Sequence, residues 1–204
     1  MLKLFDLELS GNCYKVRLLL NFLGLEHELV PVNLLEGEHK QPAFLAKNPK
    51  GQVPVLADGD HYVSDSQAIL VYLVEKAKAQ NWYPTDVKTR AAIQTWLATA
   101  ANEVARGPAD ARLVKLFGTD LDYERSLTIA ANLLVLLEQH LSEHRWLAAD
   151  SPTLADIAVF PYVALSSDAE ISLDTFPHIR AWIERFKSLP GFISMPGIPV
   201  YQSI

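Results

Sequence analysis

The spacing of apolar residues in the first eighty positions alternates between strand-like and helix-like. Leu2, Leu4 and their neighbours predict a short strand ending near Leu7, and Ser10-Gly11-Asn12 predicts a turn. From Cys13 to Leu23 the apolar residues Val16, Leu19, Leu20 and Leu23 fall on one helical face, and Gly24 ends that helix. Glu28 to Asn33 reads as a second strand. Pro42 suits a first helical position and opens a short helix through Ala46. Val53–Ala57 and His61–Val63 read as strands around the turn Asp58-Gly59-Asp60. Ser64, Asp65 and Ser66 are N-cap types before a helix from Gln67 to Ala77. The predicted order is β-α-β-α-β-β-α.

Beyond Lys78 the strand signals stop. Gln80 to Asp86, with Pro84, reads as a linker, followed by helices over Val87–Arg106, Asp122–His144, Thr153–Ser167 and Pro177–Leu189. Gly107-Pro108, Gly118, Pro152 and Pro190-Gly191 fall in the connections, and Thr153 with Asp156 has capping-box spacing. The tail, Gly191 to Ile204, reads as irregular. The chain is therefore read as an α/β domain over 1–78, a linker over 79–86 and an all-α domain over 87–204.

Composition adds exclusions. The 204 residues carry a net charge of −6, with 8 basic and 10 acidic residues up to position 78 and 10 and 14 after it. Neither part has the basic excess of a nucleic-acid binder. The N-terminus lacks the apolar core of a secretory signal, and the apolar stretch Ile129–Leu137 is too short to span a bilayer. A single cysteine, Cys13, forbids an intrachain disulfide and suits a reducing compartment. The expectation is a soluble cytoplasmic protein without membrane or nucleic-acid partners.

Three segments carry candidate chemistry. In Asn48-Pro49-Lys50-Gly51-Gln52-Val53-Pro54-Val55-Leu56 a proline interrupts apolar strand residues. A trans proline on an edge strand is the commoner solution; a cis Val53-Pro54 bond would turn the Val53 N–H and C=O outward, ready for an extended peptide-like ligand. Asp65-Ser66 opens a helix, where free N–H groups and a hydroxyl can hold a carboxylate and Asp65 an ammonium, although plain capping explains the same residues. Ser10-Gly11-Asn12-Cys13 opens the first helix, where a thiolate would gain from a hydroxyl, an amide and the positive helix end; a simple cap is again the alternative. His140 and His144 share a helix face but lack a third ligand, and no metal site is read there.

Together, SGNCYKVR, GEHK, NPKGQVPVL and SDSQAI, in that order before a linker and a helical domain with SPTLADIAVFP, resemble the glutathione transferases across essentially the whole chain. The resemblance implies a thioredoxin-like domain followed by a helical bundle. It implies that Asp65 and Ser66 hold the γ-glutamyl end of glutathione and that Val53, before cis-Pro54, pairs with the cysteinyl unit beside Gln52. His39 and Lys40 match the serine-type, bacterial-like classes and would meet the glycine carboxylate. Ser10 falls where those classes keep the thiol-activating hydroxyl, with Asn12 its rival.

A detoxifying homodimer is implied, with glutathione as a substrate and no cofactor. The electrophile, a small hydrophobic molecule, would lie between the domains; Trp96, Thr99, Glu103 and Arg106 lie on a helix that lines such pockets in relatives, but none is assigned. Cys13 is read as a small core residue and Tyr14 as packed in the helix or facing outward. The alternatives are a glutathione-dependent disulfide reductase or peroxidase on the same scaffold, and a non-catalytic binding module.

Overall fold

The computed structural model describes residues 1–198, so positions 199–204 of the expected irregular tail and of the 87–204 domain lie outside the described residues. The chain forms a first compact unit, Met1–Gln80, and a second that begins at Asn81. The expected linker divides between them: Trp82 and Tyr83 are buried, and Trp82 accepts a hydrogen bond from Leu154 N at 3.0 Å.

In the first unit β1 (Leu2–Asp6) leads to α1 (Gly11–Phe22), β2 (His27–Pro31), a short 3₁₀ turn at Glu38–Lys40, α2 (Pro42–Leu45), β3 (Val55–Asp58), β4 (His61–Ser64) and α3 (Ser66–Ala77). The strands form one mixed sheet in the order β2-β1-β3-β4, with β1 parallel to β2 and antiparallel to β3. Strand β3 begins at Val55, two residues later than predicted, since Pro54 has no N–H to give the ladder; the Val53-Pro54 peptide bond is cis. Leu4, Val55 and Leu56 are buried, and so is every residue of α1 from Cys13 to Leu20, so the helix is covered all round and not only on the face of Val16, Leu19 and Leu20 that the spacing predicts.

Register decides what lies at each end of the sheet. Phe5, near the end of β1, pairs with Val55 at the start of β3, and Val55 pairs with Ser64 at the end of β4. Asp6 pairs with Pro31, the last residue of β2. The segments holding Ser10, His39-Lys40, Val53-Pro54 and Asp65-Ser66 all leave or enter the sheet at this one end.

The second unit is helical: α4 (Val87–Thr99), a π-helical stretch (Ala100–Ala109), α5 (Asp110–Phe117), α6 (Tyr123–Glu143), α7 (Leu154–Ala164) and α8 (Pro177–Lys187). Gly107-Pro108, expected in a connection after a helix ending at Arg106, lies instead inside continuous helical chain. Wider π-type bonding, such as Asp110 N to Ala105 O, accommodates the proline's missing N–H. Gly107 is required by packing, since a Cβ there would stand 2.9 Å from Ala130 N on α6. The capping box at Thr153 is present: Asp156 Oδ2 accepts from Thr153 N at 2.9 Å. No helix among the described residues is long and apolar enough to cross a membrane.

Candidate functional site

Ser10 is the N-cap of α1, and its Oγ accepts from Cys13 N at 3.2 Å. The loop before it is fastened from below. Arg17 makes a buried ion pair with Asp6 at 2.6 Å and donates to Glu8 O at 2.7 Å, while Ser10 N bonds Leu7 O at 2.9 Å. Asp6 ends the strand before the loop and Arg17 lies about two turns into the helix after it, so the loop is held from both sides.

At the second residue of α1, the side chain of Asn12 is half-buried. Its Oδ1 accepts from Lys15 Nζ at 2.8 Å and from Ser66 Oγ at 3.3 Å. The second bond ties α1 to α3 across a separation of 54 residues. Ser66 is buried and its Oγ also meets Gln67 Oε1 at 2.7 Å. Asp65 caps α3, accepting from Gln67 N at 2.9 Å and Ala68 N at 3.1 Å. It does so at φ +81°, in a region that L-residues avoid and that costs about 1–3 kcal/mol. The two cap bonds hold it there, and strain of this kind clusters at ligand-holding positions.

The proline loop is organised by Asn48, which is buried, donates to Gln52 O at 2.7 Å and accepts from Lys50 N at 3.1 Å. Gly51 sits at φ +59°, and a Cβ on it would come within 2.8 Å of His39 O and 3.1 Å of Lys40 Nζ. This close approach lets Lys40 Nζ reach Gly51 O at 3.4 Å, so the loop and the 3₁₀ turn form one cationic corner. His39 Nδ1 is buried there without a hydrogen-bond partner among the described residues. Gln52 is exposed. The Val53 side chain packs on Val32, Phe44 and Val55, while its main-chain N–H and C=O take no partner among the described residues.

The sequence-derived residues thus form two linked clusters at the same sheet end: Asn12 with Ser66, and Lys40 with the Gly51 turn. The sequence reading missed Lys15, Asn48 and Arg17. For Lys15 a signal existed, since it stands four residues before Leu19 on the apolar face of α1. Cys13 is fully buried, and burial pushes its thiol up to about 12, against weaker help from the Ser10 hydroxyl. It stays a neutral thiol near pH 7, as a core residue would. Tyr14 is fully buried as well, and burial raises its pKa.

Residues 4–81 match the family model for the glutathione S-transferase N-terminal domain, and residues 111–190 match that for the C-terminal domain. The chain belongs to the glutathione S-transferase family. A probable glutathione S-transferase of Oryza sativa subsp. japonica is 34% identical over 191 residues, covering 89% of each chain. A glutathione S-transferase structure from Pseudomonas fluorescens superposes with a TM-score of 0.88 at 31% identity, covering 96% of this chain and 98% of its own. A glutathione transferase homologue from Drosophila mojavensis, solved with bound glutathione, gives 0.83 at 27% identity, covering 93% and 88%. The expected glutathione transferase fold, thioredoxin-like unit first and helical domain second, is the one found, and the chain is an enzyme of that family.

Proposed function

We propose that this glutathione transferase, of the serine type, binds glutathione at the common end of the first unit's sheet, lowers its thiol pKa through Ser10 and Asn12, and turns the thiolate on a small hydrophobic electrophile. The observation that carries the reading is the unpaired main chain of Val53. It leaves the sheet at the same end as the α3 N-terminus and the Lys40 corner. An extended peptide with a carboxylate at each end and a thiol between them matches that set. The γ-glutamyl carboxylate would take the hydroxyl of Ser66 and the N–H groups of α3, with its ammonium on Asp65. The cysteinyl unit would pair with Val53 beside Gln52, and the glycine carboxylate would face His39 and Lys40.

A free thiol titrates near 8.5, so lowering it by about two units needs about 2.7 kcal/mol of preference for the thiolate. Ser10 suits this task because its cap bond to Cys13 N occupies a lone pair and leaves the hydroxyl proton free to donate. The amide of Asn12 and the N-terminus of α1 add to it. The thiolate forms a sulfur–carbon bond as a leaving anion departs, or as a proton is taken up when the electrophile is a double bond. The burial of Cys13 weighs against its serving as a redox nucleophile.

Calorimetry with glutathione, followed by conjugation assays with a halogenated nitroarene, tests the reading. Binding with conjugation is the expected result; absence of binding, or turnover restricted to mixed disulfides or peroxides, overturns it. In the same reading the enzyme works as a cytoplasmic, detoxifying homodimer, for which a monomer mass by light scattering at working concentration is the contrary outcome.

A further inference from the structure

Lys15 is a charged side chain with 1% of its surface exposed, set in the first turns of α1. Burial costs its ammonium enough to bring it down to about 8, with Asp65 at the head of α3 pulling the other way. Its Nζ donates to Asn12 Oδ1 at 2.8 Å. A lysine ammonium has three donors and no acceptor, so the atom of Asn12 that faces it must be the carbonyl oxygen. Ser66 Oγ converges on the same oxygen at 3.3 Å. The amide nitrogen of Asn12 is thereby turned away from the interior, and it takes no partner among the described residues.

Orientation decides what Asn12 can do to a sulfur. An NH₂ group stabilises a thiolate, which only accepts. A carbonyl oxygen would accept from S–H, stabilise the neutral thiol and raise its pKa. Asparagine offers both ends, and the ends are similar in size, so nothing in Asn12 itself selects between them. We propose that Lys15 is a positioning residue that fixes the amide of Asn12 with its NH₂ toward glutathione, and so sets the sign of that residue's effect on the thiol. The proposal rests on the reading that Asn12 meets the thiol.

The test is a double-mutant cycle on the full chain, reading the ultraviolet thiolate absorbance of bound glutathione against pH. In the Asn12 background, Lys15→Met should raise the bound thiol pKa by about one unit. In the Asn12→Ala background the same change should do nothing. Lys15→Gln keeps an N–H donor without the charge and spares the fold an unpaired group, so it should recover most of the shift and still reports if Lys15→Met does not fold. An equal rise with and without Asn12 would mean that Lys15 acts as a distant charge, which overturns the proposal. So would an unchanged pKa in Lys15→Met or a fully shifted one in folded Lys15→Gln. A silent Asn12→Ala instead removes the underlying role of Asn12, and the proposal with it. That result is distinct from an active Asn12 that ignores Lys15.

Discussion

Lys15 in the first unit and Asp156 in the second are both buried charged side chains in the first turns of a helix, and the two are handled in opposite ways. In the second unit Asp156 is fully buried in the first turn of α7 and receives four donors: Leu147 N and Trp182 Nε1 on one oxygen, Thr153 N and Thr153 Oγ1 on the other. Its bonding capacity is spent on joining α7, the preceding loop and α8. In the first unit Lys15 is equally buried, but its bond goes to a half-buried amide whose other end is left over. A buried group whose neighbours are all consumed inside the fold holds the elements of the fold together. A charge that fixes one end of a bifunctional group leaves the other end for something outside.

Asp156→Ala leaves four buried donors without an acceptor and should cost about 3–5 kcal/mol, read as a lower urea midpoint by tryptophan fluorescence. Burial pushes Asp156 up to about 6, so the folded state holds a proton through a range where the unfolded chain has released it. Its contribution is greatest below about pH 4 and is lost as pH rises through 6. Asp156→Asn should lack that decline.

Changes at the glutathione contacts should act on binding instead. Ser66→Ala and Lys40→Ala each remove a charge-assisted contact to a carboxylate far from the sulfur. Each should weaken glutathione binding by about 10- to 100-fold, mostly as KM; the urea midpoint should stay in place in Lys40→Ala and fall in Ser66→Ala, which also loses the bond to Asn12. Parent-like binding in both variants by calorimetry would remove this site.

Ser10→Ala should raise the bound thiol pKa by about one to two units, with a kcat loss that shrinks as pH rises and solvent takes the proton. Asn12→Ala should be milder, and Cys13→Ser milder still. A severe Asn12→Ala beside a silent Ser10→Ala would transfer the main role to Asn12.

The smallest effect sharpens the comparison by pH. Lys15 titrates at about 8 in the folded chain against 10.5 ordinarily, so between those values the unfolded chain binds the extra proton and stability from this group rises with pH. Cys13, raised from 9.0 to about 12, works the other way above pH 9. Between pH 8 and 9, Lys15→Met should therefore lose a rise of about 1 kcal/mol that the parent shows in urea titrations.

Most of the element order was legible because apolar spacing and caps are local: Val16, Leu19 and Leu20 mark α1, and Thr153 with Asp156 marks α7. The sequence left the peptide bond before Pro54 open between two geometries, and the fold resolves it as cis. What escaped depends on partners distant in sequence. The bond from Ser66 to Asn12 spans 54 positions. Lys15 is only three residues from Asn12, but its place on an apolar face does not say where its ammonium ends. The π-helical stretch was hidden for another reason: Gly107-Pro108 is a breaker signal, and the close approach of Gly107 to Ala130 involves a partner far along the chain.

The proposed ligand contacts come from residues 10–12, 39–40, 52–53 and 65–66, brought to one end of the sheet by strand register. No single element contains them all, so affinity belongs to the assembled unit and the unfolded chain has none to offer. Ligand and folding are then linked thermodynamically. Glutathione at a hundred times its Kd should add about 2.7 kcal/mol to the stability of the first unit. Amides far from the ligand, as in β2, should exchange their hydrogens more slowly along with those beside it.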